Sequence, residues 1–135
     1  MLAPILALII WTLIIWCWMY ATRIPAMQKA KIEPQAAAHP GALDGLPAGV
    51  RVVADNYNHL HEQPTIFYAL AFYSHLAGNE GAIAVSLAWG YVALRVAHSL
   101  AQIIVQKVVV RFFFFVLSTL LLVALAALNL IVALQ

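Results

Sequence analysis

The residues able to do chemistry in this chain stand inside apolar segments, where polar side chains are costly. Asp55, His59 and Glu62 are spaced i, i+4, i+7, which predicts one shared helical face with Asn58 at its border. Tyr91, Arg95, His98, Gln102 and Gln106 follow at i, i+4, i+7, i+11 and i+15, a continuous polar stripe through an otherwise apolar helix. Two such stripes on consecutive helices are expected to face each other. Arginine does not shed its proton, so a buried Arg95 demands a carboxylate or an equally strong acceptor. Glu62 is the carboxylate nearest that depth. A two-bond ion pair between them is expected, either as a lock on helix register or as part of a ligand site. Pro64 removes the helical hydrogen bond to the Leu60 carbonyl and is expected to kink the segment beside Glu62.

Other chemistries find less support. His59-Leu60-His61-Glu62 has the residue types of a metal site, but residues two apart on a helix point to different sides. Zinc also requires three or four convergent ligands, so no metal is expected. A haem held between His59 and His98 has no second signal in the sequence. His98 reads as a hydrogen-bonding member of the polar network, while His39 and His75 read as surface residues in or beside loops. Ser99 and Ser118 lie in apolar helices, where a hydroxyl bonds back to its own helix. There is no Gly-rich phosphate loop.

The elements that must carry these stripes are membrane helices. Of the 135 residues, 65% are hydrophobic and only 9% are charged, against about 25% charged residues in a soluble domain. The mean hydropathy is +0.94. A water-soluble fold of this size cannot hide so much apolar surface, so lipid must be its solvent. The net charge of +2 comes from basic residues scattered over loops and helix ends, which argues against a nucleic-acid partner. Cys17 is the single cysteine; no internal disulfide can form, and its apolar setting reads as that of a small buried hydrophobe.

Read along its length, the chain is one all-α domain over 1–135, an integral membrane four-helix bundle with helices at about 1–22, 50–77, 82–106 and 110–134. The first run has no basic residue ahead of its apolar core, so it reads as a retained transmembrane helix and not as a signal peptide. Trp11, Trp16, Trp18 and Tyr20 suit an interface near its end. Residues 23–49 hold Pro25, Pro34, Pro40 and Pro47 and read as a loop. The second segment is polar in its first half, which must face protein or water, and apolar in its second. Phe112–Phe115 read as facing lipid or neighbouring helices. The basic loops Arg23–Lys31 and Gln106–Arg111 fall on one side and the Glu80 turn on the other. The positive-inside rule then puts the basic loops in the cytoplasm and both termini outside it, in the inner membrane if the chain is prokaryotic.

With these residues placed, the sequence resembles the MAPEG family, the membrane-associated proteins of eicosanoid and glutathione metabolism. The likeness covers the whole chain in length and helix count. It is sharpest at His59-Leu60-His61-Glu62-Gln63-Pro64 and at Arg95-Val96-Ala97-His98-Ser99, with Arg111 sixteen residues after Arg95. The resemblance implies a homotrimer with sites between neighbouring subunits, where glutathione binds as co-substrate and meets a lipophilic electrophile from the bilayer. It implies that Glu62 binds the glutathione amine or braces Arg95, and that Arg111 stabilises the thiolate, with Arg23 as a further anion ligand. Arg51, His59, Arg95, His98 and Gln102 join the expected binding set.

Several positions depart from the family pattern. His59 stands for the motif Asn, Asp55 for an Arg, Gln102 for a Tyr on the third helix and Phe115 for a Tyr on the fourth. Two readings follow. One is a membrane-embedded glutathione-dependent transferase or peroxidase acting on lipophilic electrophiles, which Glu62, Arg95, His98 and Arg111 favour. The other is a non-catalytic protein on the same scaffold, an accessory subunit of a larger membrane complex or a lipid binder, which the four departures favour.

Overall fold

The computed structural model describes residues 1–38 and 41–134, so His39, Pro40 and Gln135 lie outside the described range. Five α-helices follow in order: α1 (Leu2–Lys29), α2 (Ala48–His59), α3 (Gln63–Leu76), α4 (Ala82–Leu100) and α5 (Val108–Ala133). A short 3-10 turn spans Pro34–Ala38, and a π-helical turn spans Ala101–Val105. The architecture is an all-α membrane bundle of four segments, the second of which is split into α2 and α3. Among the described residues three helices are long and apolar enough to cross a bilayer: Leu2–Lys29, Ala82–Val105 and Val108–Ala133.

Burial is arranged for lipid. Leu6, Leu13, Phe112, Phe113, Leu120 and Leu130 are each more than half exposed on the outer faces of α1 and α5, while Asn56, Arg95, His98, Gln102 and Asn129 are buried. The interior is filled by Leu8, Ile15, Phe67, Ala71, Ala84, Ala88, Tyr91 and Leu125. Its alanines let helices approach closely. At Gly90 the approach is closer still, since a Cβ there would meet Leu121 Cδ1 at 2.7 Å. Cys17 is exposed on α1, contrary to its expected burial. It follows the outward face of the helix, where lipid accepts a small apolar side chain as readily as a core does.

Helix ends explain where the expected boundaries shift. α1 continues to Lys29 with Pro25 inside it, so the basic residues Arg23 and Lys29 ride on helix and not on loop. It stops because Lys31 takes φ 54° and the Lys31 and Ile32 amides bond back to the Gln28 and Met27 carbonyls, a Schellman closure. Gly78, at φ 69°, closes α3 in the same way, with the Asn79 amide on the Ser74 carbonyl at 2.8 Å.

Pro64 breaks the second segment instead of kinking it. α2 ends at His59, Leu60–Glu62 form a turn, and Glu62 caps α3. Pro64 then sits in the first turn of α3, where no amide donor is needed. Glu62 is therefore off the helical face it was expected to share with Asp55 and His59.

At the end of the bundle nearest the α3–α4 turn, Asn129 clamps two elements. Its amide donates to Ser74 Oγ at 2.7 Å and to the Leu125 carbonyl at 2.8 Å, and its oxygen accepts from Asn79 at 3.1 Å. Beside it, His75 and the Met1 amino group bond the Glu80 carboxylate. Asn129→Ala should destabilise the detergent-solubilised protein by about 1–2 kcal/mol, because Ser74 and Asn79 lose a buried partner. Unfolding midpoints in a denaturing-detergent titration measure this; an unchanged midpoint would show that the clamp does not hold α3 to α5.

Candidate functional site

Three elements build a polar cleft at the end of the bundle that carries Lys107. α2 brings Arg51 and Asp55, the π turn brings Gln102, and the α4–α5 connection with the first turn of α5 brings Gln106, Lys107 and Arg111; together they line a cavity of about 260 Å³. The π turn has a structural role here, since such widened turns are frequent at functional sites. It ends with Gln106 at φ 56°, whose amide bonds the Ala101 carbonyl at 2.9 Å. That leaves Gln106 at the cleft surface and Gln102 buried within. Gln102 is 2% exposed; its Oε1 accepts from Asn56 Nδ2 at 3.1 Å. Gln102 Nε2 and Asn56 Oδ1 have no partner among the described residues.

A second, apolar cavity of about 200 Å³ adjoins the first and is lined by His59, His98, Val108, Arg111, Phe112 and Phe115. Arg111 and Val108 line both. The His59 and His98 rings meet edge-on with centroids 6.2 Å apart, and His98 lies near the Phe115 ring at 6.3 Å. One cation thus stands at the junction of a polar compartment and a greasy one. Such a site can hold a small polar anion on one side and admit an apolar molecule from lipid on the other.

The expected Glu62–Arg95 pair does not form. Glu62 lies with its side chain 62% exposed and bonds His59 Nδ1 at 2.8 Å, because the break before α3 turns it away from α4. Arg95 is 2% exposed. Its Nε donates to Tyr91 Oη at 3.1 Å, and its guanidinium carbon lies 5.2 Å from the centroids of both the Tyr91 and Phe115 rings. Nη2 has no partner. Tyr91 Oη donates in turn to Gln63 Oε1 at 3.5 Å, and Gln63 Nε2 to Thr119 Oγ1 at 2.8 Å. The acceptor that sequence reasoning assigned to a carboxylate is a phenol, and the chain of bonds ties α3, α4 and α5 together.

The remaining expected residues divide. Arg51, Gln102 and Arg111 come together in the polar cavity, and His59 and His98 in the apolar one. Arg95 and Glu62 line neither cavity, and Arg23 sits on α1 with its Nε buried and unpartnered, away from both. Asp55, Gln106 and Lys107 are cleft residues that the sequence analysis did not place in the binding set. Their signal was available, since Asp55 follows Arg51 by one helical turn and Gln106 extends the α4 stripe. Phe115, expected against lipid or neighbours, covers Arg95. Ser118 bonds its own helix at the Phe115 carbonyl, 2.8 Å away, whereas Ser99 Oγ is buried without a partner, so the expected back-bond is absent there. No group of three or more His, Cys, Asp or Glu side chains converges among the described residues.

A double-mutant cycle separates the two accounts of Arg95. Tyr91→Phe with Arg95→Gln should show a coupling of about 1 kcal/mol or more, as for a hydrogen bond to a charged group. Glu62→Gln with Arg95→Gln should show almost none. Strong Glu62–Arg95 coupling with weak Tyr91–Arg95 coupling would contradict the geometry. Thermal unfolding in detergent gives all the values.

Residues 1–131 of the 135 match the sequence model described as the MAPEG family. No curated protein and no solved structure is matched. The match runs through every helix that builds the two cavities, and it agrees with a membrane helical bundle of this length. The chain belongs to the MAPEG family.

Proposed function

We propose that this protein is a membrane-embedded glutathione-dependent transferase or peroxidase-like protein acting on lipophilic electrophiles. The observation that carries the reading is the position of Arg111, shared by the polar cavity and the apolar one. Conjugating a water-soluble thiol to a lipid-soluble electrophile requires the sulfur to sit at such a boundary. A cation beside the sulfur lowers the thiol pKa from about 8.5 and raises the thiolate fraction. The thiol proton passes to water, the sulfur lone pair forms the new bond to the electrophilic carbon, and the leaving group departs with its electron pair. Arg51, Gln102 and Lys107 would hold the polar part of the peptide, and His59, His98, Phe112 and Phe115 would flank the lipophilic partner. Arg95 acts behind Phe115 as a positioning residue.

Family membership supports the further proposal of a homotrimer in which Arg23 of one protomer approaches the cleft of its neighbour. Its buried, unpartnered Nε is consistent with a ligand or partner not present in a single chain. The positive-inside rule supports a cytoplasmic position for the Lys107 end.

One observation favours the second reading, a non-catalytic protein on this scaffold that binds lipid or serves as an accessory subunit. Phe115 brings no hydroxyl to the apolar cavity and lies over Arg95, so Arg111 has no phenol donor from that position to assist it.

Glutathione binding to the folded state should stabilise the purified protein by about 2.7 kcal/mol at 100 times the dissociation constant. Arg111→Ala should abolish conjugation of a lipophilic chloronitrobenzene or epoxide and weaken the stabilisation. The absence of both stabilisation and conjugation at high millimolar glutathione would favour the non-catalytic protein.

A further inference from the structure

We propose that Asp55 is a specificity residue that binds an ammonium group, so that the polar cavity selects an anionic ligand bearing a free primary amine. This deepens the glutathione reading and rests on it for the identity of the ligand. The argument starts from charge. Arg51, Lys107 and Arg111 line the cavity with a single carboxylate, Asp55. Among the described residues none of these four groups enters an ion pair within 4.0 Å. An exposed aspartate on a helix would by itself say nothing. Here it faces a cleft with three cations, yet none of them neutralises it.

The cavity also has a buried group awaiting a partner. Gln102 lines it at 2% exposure, and one member of its amide, Nε2, has no acceptor. Asn56 supplies the other half of the pair and is left with an unpartnered oxygen. Exchanging oxygen and nitrogen in both amides would keep the bond and still leave one donor and one acceptor free. Of this pair only Gln102 lines the cavity, so a ligand carboxylate can answer its amide while an ammonium on the same ligand answers Asp55; a simple polyanion leaves Asp55 unanswered.

The position of Glu62 sharpens this. The resemblance assigns the ligand amine to Glu62, but here that carboxylate bonds His59 at 2.8 Å and lies outside the cavity. Asp55 is the carboxylate that remains in the cleft. The substitution of an acid for an arginine at this position thus moves the ammonium site to α2, beside Arg51. The charges then match the ligand: three cations and one carboxylate complement a peptide thiolate with two carboxylates, one thiolate and one ammonium.

The test compares ligands that differ only in the amine. Detergent-purified protein is titrated with glutathione and with N-acetylglutathione, and separately with aspartate and with succinate, following the thermal unfolding midpoint. The wild-type protein should bind the free amine of each pair at least about tenfold more tightly, as expected for a charged hydrogen bond. Asp55→Asn should erase that preference without weakening the amine-free ligands, and Asp55→Glu should largely retain it. Equal binding within both pairs, or equal loss of both members on Asp55→Asn, overturns the proposal. A preference for aspartate over succinate with no glutathione binding overturns only the glutathione reading. Glutathione binding that ignores both acetylation and Asp55 overturns only this inference.

Discussion

A guanidinium inside a bundle whose solvent is lipid cannot be neutralised and must be answered by its neighbours. Placing one charge at the centre of a membrane helix costs about 3 kcal/mol on insertion scales, and Arg95 is nearly fully buried. This chain answers it with a phenol oxygen and two aromatic faces, not with a carboxylate. The arrangement is a coherent one. Tyr91 also stacks on Phe67 with ring centroids 4.5 Å apart, so the group that accepts from Arg95 is fixed by packing from the far side. Gln63 and Thr119 extend the same chain of bonds to α3 and α5. Phe115 covers the other face and separates Arg95 from the cavity that Arg111 lines.

That separation divides the labour of the basic residues. Arg95 organises the interior, whereas Arg111, Arg51 and Lys107 are left to line the polar cleft. The break between α2 and α3 makes the division possible. Because Glu62 turns out to His59, Arg95 is not drawn toward α2, and the α2 face is free to present Asp55 and Asn56 to the π turn. The widened turn in its place sets Gln102 against Asn56. Straightening the π turn would rotate Gln102 away from the cleft.

Much of this was legible in the sequence, and the failures have physical causes. Hydropathy alone gave the membrane bundle, since no aqueous fold could bury such a composition. The expectation that the two polar stripes face each other agrees with the meeting of the His59 and His98 rings, because periodicity survives wherever the helix is regular. It failed at Glu62, where Pro64 permits a full break and not only a kink, a choice made by tertiary packing. It also failed to find Tyr91 as the partner of Arg95, because charge was given precedence over an acceptor one turn away on the same helix. Lys107 was passed over as a loop cation, although the π turn folds that connection back over the cleft. Asp55 was visible as a departure from the family pattern, but its meaning depended on seeing which charges stand around it.

The central claim is that Arg111 places a ligand sulfur at the boundary between a polar and an apolar compartment. The most direct measurement is an experimental structure of the protein in lipid with bound glutathione. The account predicts the peptide in the cleft lined by Arg51, Asp55, Gln102 and Lys107, with its sulfur beside the Arg111 guanidinium and directed toward Phe112 and Phe115. A peptide bound elsewhere, or one whose sulfur points to water away from Arg111, would contradict it.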